Sequence, residues 1–69
     1  MTLNEMAGYL RMDVDTMIGG LKAVGILNAD GSPKKKYIDA GYFYKIKNNE
    51  IRNYEGLKTL ICEKLGINC

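Results

Sequence analysis

Apolar residues recur at helical spacing through residues 1–27 and predict two short helices. Thr2 and Glu5 form a T-x-x-E capping box, in which the two side chains bind backbone N–H groups that a helix leaves unpaired. Asp13 predicts the N-cap of the second helix, and Gly25 predicts its end. Only a tight turn fits between the helices, so they must cross. The inner faces comprise Leu3, Met6, Ala7 and Leu10 in the first helix and Val14, Met17, Ile18, Leu21 and Val24 in the second.

The pattern changes after residue 27. Residues 28–33 are dense in turn formers and predict a surface loop. Side chains alternate over residues 42–47, with Tyr42, Tyr44 and Ile46 on one face. The two asparagines at 48–49 suit a tight turn, after which residues 50–52 return as a partner strand. We therefore predict a β-hairpin, which a basic segment precedes.

A last helix is predicted between Asn53, a suitable N-cap, and Gly66, a suitable stop. Its inward stripe comprises Leu57, Leu60, Ile61 and Leu65. Two N-terminal helices, a β-hairpin wing and a C-terminal helix define a small winged helix-turn-helix domain of the α+β class. We expect this winged helix to occupy residues 1–69 as a single domain, because a chain of this length has room for one core.

Composition excludes several classes of function. The chain lacks histidine, the usual general base near neutral pH, and contains no nucleophile elbow or phosphate-binding glycine loop, so we predict no enzyme and no cofactor. Two cysteines cannot supply the four ligands of a zinc site, so we predict no metal. We expect Cys62 to be a buried free thiol and Cys69 a terminal one. No apolar run approaches the roughly 20 residues that span a bilayer, and no signal peptide is evident, which predicts a cytoplasmic protein without a membrane partner.

Basic residues concentrate in the hairpin half of the chain. Residues 1–30 hold two Lys or Arg against four Asp or Glu, whereas residues 31–69 hold eight against four. Clustered cations can neutralise phosphates, although they can equally form a solvated face. The candidate DNA-binding residues are Lys34, Lys35, Lys36, Tyr37, Lys45, Lys47 and Arg52, with Tyr42 or Tyr44 alongside. Asp39 and Gly41 are assigned to turn structure.

The second helix suits a different contact. Asp13 and Asp15 at its start would face the polyanion if it entered a DNA groove. Its paired glycines would instead let another helix approach closely, or serve as packing glycines within the fold. The candidate protein-contact residues are Thr16, Gly19, Gly20, Lys22 and Ala23.

The basic segment also carries a family pattern. The motif P-x-x-x-Y-I-D-x-G-x-F is met by Pro33, Tyr37, Ile38, Asp39, Gly41 and Phe43. It resembles the KilA-type C-terminal domain of bacteriophage antirepressors. Residues 53–57, Asn-Tyr-Glu-Gly-Leu, are similar to that family's Thr-Pro-Lys-Gly-Leu. Met12, Met17, Leu21, Gly25 and Leu27 are in register with the family as well. The resemblance implies a helix-turn-helix-like domain in a phage or prophage regulator.

Three functions remain open. The first is a phage-derived transcription-regulatory domain that binds double-stranded DNA mainly through the basic hairpin. The second is an antirepressor module that binds a repressor protein or a second copy of itself through the second helix. The third is an excisionase-like architectural protein, which requires DNA bending. A strong salt dependence of DNA binding would separate the first and third functions from the second.

Overall fold

Four helices form the framework of this chain in the computed structural model, which describes residues 1–46 and 50–68. They are α1 (Leu3–Tyr9), α2 (Val14–Ala23), α3 (Lys35–Asp39) and α4 (Tyr54–Leu65). None of the helices in this described part has the length and apolar character needed to span a bilayer.

Local hydrogen bonds begin α1 and α2 where the sequence predicts. The Glu5 N–H donates to Thr2 Oγ1 at 3.2 Å and the Thr2 N–H to Glu5 Oε1 at 2.9 Å, which confirms the capping box. The Asp13 carboxylate caps α2 by accepting from the Thr16 N–H at 3.2 Å. Arg11 takes a φ of 56° in the connecting turn, and Gly25, at φ 83°, follows the end of α2. The two predicted N-terminal helices and their tight turn are confirmed.

The predicted β-hairpin wing is wrong for the described residues, and with it the α+β winged-helix class. Extended pairing in this part of the chain consists of three isolated antiparallel bridges: Thr2 with Glu50, Leu27 with Pro33, and Phe43 with Ile51. Phe43 is buried, but Lys45, the next side chain on its face, is exposed, and so are Tyr44 and Ile46 on the opposite face. A longer strand would therefore have no buried face, and two strands without one are marginal in water. The predicted turn residues 47–49 lie outside the described residues.

The lysine run begins a short helix that the sequence did not predict. Lys34 is the N-cap of α3, which carries Lys35, Lys36 and Tyr37. Tyr37 is buried and provides the inner face of this short helix. Gly41 follows it at φ 89°, which confirms its assignment to a turn, whereas Asp39 is the last residue of α3.

The core lies between α1, α2, α4 and the segments that flank α3. Its fully buried side chains are Met6, Met17, Leu21, Ile26, Leu27, Phe43, Leu57 and Ile61. Within the predicted stripe of α4, Leu57 and Ile61 are confirmed as buried, whereas Leu60 and Leu65 are only partly buried. Asn53 caps α4 through the Gly56 N–H at 3.0 Å, and Gly66 ends it at φ 67°.

Cys62 corrects one prediction. It is buried, as expected, but it is disulfide-bonded rather than a free thiol. The tendency of cysteine to be buried does not say whether its sulfur is paired, because pairing depends on which Cβ atoms the fold brings together. Cys69 lies outside the described residues.

The two glycines of α2 have different surroundings. Gly20 faces α4, where a Cβ would lie 3.1 Å from Leu65 Cδ2, whereas a Cβ on Gly19 would meet no atom within 4 Å. Gly20 is therefore a packing glycine that lets α4 approach α2.

Alanine substitutions at these two glycines should have different effects on stability. Gly19→Ala is expected to stabilise the fold by about 0.5–1 kcal/mol, because alanine loses less backbone entropy in a helix. Gly20→Ala should increase stability by less, since Leu65 must move to accommodate the new methyl group. Urea denaturation of both variants measures the difference. Equal stabilisation would show that the contact between Gly20 and Leu65 does not constrain the helix pair.

Candidate nucleic-acid interface

A tight loop holds the start of α3 in place. The Asn28 N–H donates to the Ser32 carbonyl at 2.7 Å, and the Lys34 N–H donates to the Ile26 carbonyl at 3.0 Å. Asp30 braces the loop by accepting from the Ser32 hydroxyl at 2.6 Å and the Ser32 N–H at 2.9 Å. These bonds, the hydroxyl bond first, lower the pKa of Asp30. These hydrogen bonds therefore fix the backbone of the loop from which the lysines project.

The three lysines that begin α3 are exposed. Lys34 Nζ donates to Asn28 Oδ1 at 3.3 Å, and Lys36 Nζ lies 5.6 Å from the centre of the Tyr37 ring. Both partners are uncharged. Within residues 1–46 and 50–68 the one ion pair joins the Met1 ammonium to Glu50, so the charges of these lysines are not neutralised by a described carboxylate.

Aromatic and backbone contacts connect α3 to the segment before α4. The Tyr37 and Tyr42 rings lie 6.0 Å apart between centres. The Tyr42 carbonyl accepts from the Arg52 N–H at 2.9 Å and from the Asn53 N–H at 3.3 Å. The backbone of exposed Arg52 is thus bound to Tyr42, which follows α3, although 16 positions separate Arg52 from Lys36. Tyr37 was predicted to bind DNA, but its side chain is buried on the inner face of α3.

A cavity of about 680 Å³ lies between the segment that follows α3 and the segment before α4. It is lined by Tyr44, Lys45, Ile46, Glu50 and Arg52. Lys45 and Arg52 are both exposed, so two cations border a largely apolar depression. Lys47, also predicted to bind DNA, lies outside the described residues. We call the set of exposed cations Lys34, Lys35, Lys36, Lys45 and Arg52 the basic face.

The acidic side chain of this cavity is already neutralised. Glu50 Oε2 accepts from the Met1 ammonium at 2.8 Å, and the Ile51 N–H donates to the Met1 carbonyl at 2.6 Å. The hydrogen bond from the ammonium to Glu50 raises the pKa of the amino terminus above its usual value. Glu50 therefore does not offset the charges of Lys45 and Arg52.

The second predicted site, on α2, is only partly accessible. Thr16, Gly19, Lys22 and Ala23 are exposed, whereas Gly20 is turned toward Leu65 of α4. Gly20 therefore packs against α4, whereas Gly19 is accessible to a partner. Asp13 and Asp15 are exposed at the start of the helix, which gives this end of α2 an acidic surface.

The sequence did not predict two features at the basic face and beside it. Asn28 holds the Lys34 ammonium, and no residue pattern connects these two side chains. Ile46 is 93% exposed, although its position in an alternating run predicted a strand residue. No local signal marks its exposure, because Lys45 on the opposite face is equally compatible with a half-buried strand.

Comparisons with known proteins do not extend these observations. Comparison with protein-family models, with curated proteins and with solved structures yields no match. The resemblance to the KilA-type C-terminal domain therefore stays a prediction from the residues that carry it.

Proposed function

We propose that this chain is a phage-derived transcription-regulatory domain that binds double-stranded DNA through its basic face. The observation that carries the proposal is a set of five exposed cations, on α3 and on the two segments joined to it through Tyr42, none of which has a described carboxylate partner. Phosphates would supply the missing counter-charges, and release of the DNA's condensed cations favours such binding.

The cations divide into two groups with different chemistry. The lysines of α3 and Lys45 bind phosphates as mobile point charges, while the planar Arg52 guanidinium can donate two parallel hydrogen bonds to one phosphate. Phosphate contacts position a protein on DNA without reading its sequence. We therefore expect binding that is sensitive to salt and only weakly selective among sequences.

A second proposal assigns α2 to protein recognition, as an antirepressor module that binds a repressor or a second copy of this chain. It is supported by the exposed, small side chains of Thr16, Gly19 and Ala23. Because this surface and the basic face involve different residues, one titration can separate the two proposals.

An NMR titration with a mixed-sequence duplex tests the proposed function. The amides of Lys34, Lys35, Lys36, Lys45 and Arg52 should shift, and added salt should reverse the shifts. Shifts confined to residues 16–23, or no shift at physiological salt, would overturn DNA binding through the basic face. A repressor protein that shifts residues 16–23 would support the α2 alternative.

A further inference from the structure

The segment that follows α3 turns two apolar side chains toward solvent beside the basic face. Tyr44 is 46% exposed and Ile46 is 93% exposed, although Phe43 between Tyr42 and Tyr44 is completely buried. Tyr44 and Ile46 both line the cavity of about 680 Å³. They form an apolar ridge next to a depression rather than a filled part of the core.

The charges around this ridge suit a nucleic-acid strand. Lys45 lies between the two apolar residues, and Arg52 lines the same cavity. Glu50, the acidic residue of the lining, is paired with the Met1 ammonium. An apolar ridge bordered by cations complements DNA, whose grooves expose base edges between two rows of phosphates.

We propose that Ile46 and Tyr44 enter the minor groove of the bound duplex and that Ile46 wedges between base pairs and bends the DNA. This inference rests on the proposed function, because the basic face must first hold the duplex. Minor-groove proteins insert apolar side chains, isoleucine among them, and kink the duplex by about 20–90°. Lys45 and Arg52, which border the cavity, bind the phosphates on either side of the groove.

The wedge explains how a small surface can hold DNA without base-specific hydrogen bonds. Bending brings more phosphates within reach of the lysines of α3, while the sequence preference comes from how easily each base step opens. Pyrimidine–purine steps such as TA unstack most readily, so a duplex with a central TA step should bind more tightly than one with a central A-tract.

Two measurements on one labelled duplex test the wedge. Fluorescence anisotropy reports binding, and energy transfer between dyes on the two ends reports bending. The wild-type chain should shorten the end-to-end distance. Ile46→Ser should still bind, within about tenfold of the wild type, but lose most of the shortening, because the serine hydroxyl cannot unstack a base step.

Tyr9→Ser is the matched control, since Tyr9 is also a large exposed apolar side chain at 66%, and it lies on α1 and does not line the cavity. Its ring packs against Tyr54 of α4, so circular dichroism should confirm that this variant keeps its helices. It should bend DNA like the wild type. The wedge is overturned if Ile46→Ser bends the duplex as strongly as the wild type, or if the wild type binds without bending. Either result leaves DNA binding through the basic face standing. If the wild type shows no change in anisotropy, both proposals fail, and loss of self-association in Ile46→Ser would assign the ridge to a second copy of this chain instead.

Discussion

Phe43→Ala is expected to remove about half of the chain's stability or more. Phe43 is 1% exposed and is among the largest buried side chains of the core. Truncating a buried phenylalanine costs about 3–5 kcal/mol, because the cavity that remains is not refilled. A domain of this length has in total about 0.05–0.15 kcal/mol per residue. The variant should unfold at a much lower urea concentration than the wild type.

Phe43 is also the residue that joins the core to the basic face. Its bridge to Ile51 holds the segment before α4, and its neighbour Tyr42 accepts from the Arg52 N–H. Tyr44→Ala is a matched control, since Tyr44 is the next aromatic residue and is 46% exposed. This control should change the urea midpoint little. Similar midpoints for the two variants would show that Phe43 is not a core anchor.

Changing Lys34, Lys35 and Lys36 together to glutamate is expected to abolish DNA binding. The substitution turns three exposed cations into anions that the phosphates repel, so affinity at physiological salt should fall on the order of 100-fold or more. Single Lys→Ala changes should reduce the slope of log affinity against log salt by about 0.9 for each lost phosphate contact. Fluorescence anisotropy over a range of salt concentrations measures both effects.

The control variant changes Lys22, Lys58 and Lys64 to glutamate. It alters the net charge by the same amount, but its residues lie on α2 and α4. If the position of the cations controls affinity, this control variant should retain most of its DNA binding. An equal loss in the two triple variants would show that net charge, and not the basic face, controls affinity. Circular dichroism should confirm that both variants keep their helices, because Lys34 and Lys36 also contact Asn28 and Tyr37.

The candidate site could be predicted from the sequence only in part. The run of lysines identified residues 34–36 as basic because charge is a property of composition, but the sequence did not predict the helix α3 that carries Lys35 and Lys36. The sequence also placed Lys45 and Arg52 in the same half of the chain, but it attributed their proximity to a β-hairpin. In the structure, the Arg52 N–H instead donates to the Tyr42 carbonyl, and the Tyr42 ring packs beside that of Tyr37 in α3. This contact depends on distant residues and has no local signature.

The family resemblance could not correct the prediction of a wing. Its motif residues Tyr37, Gly41 and Phe43 are all explained by local geometry and packing in the structure, since Tyr37 and Phe43 are buried and Gly41 takes a positive φ. Residues with such roles are compatible with a short helix and turn as well as with a strand. The motif therefore constrains the core but not the secondary structure of the exposed lysines beside it.

What the sequence by itself determined is the set of features that depend on neighbouring residues. The caps at Thr2, Asp13 and Asn53 and the helix ends at Gly25 and Gly66 are set within a few positions along the chain. Side-chain oxygens pair the N–H groups at helix starts, and glycine tolerates the positive φ at helix ends. These preferences persist whatever the rest of the fold does.

The tertiary structure alone decided which apolar residues reach the core. Phe43 and Ile51 are buried while Ile46, of equal apolar character, is in solvent, and Gly20 contacts α4 while Gly19 does not. Strand pairing and helix packing each need a buried face supplied by distant segments. An alternating pattern shows that the residues are compatible with a strand. It does not show that the core has room for one face of that strand. The remaining apolar side chains stay exposed because the core of so short a chain has no further surface to cover them.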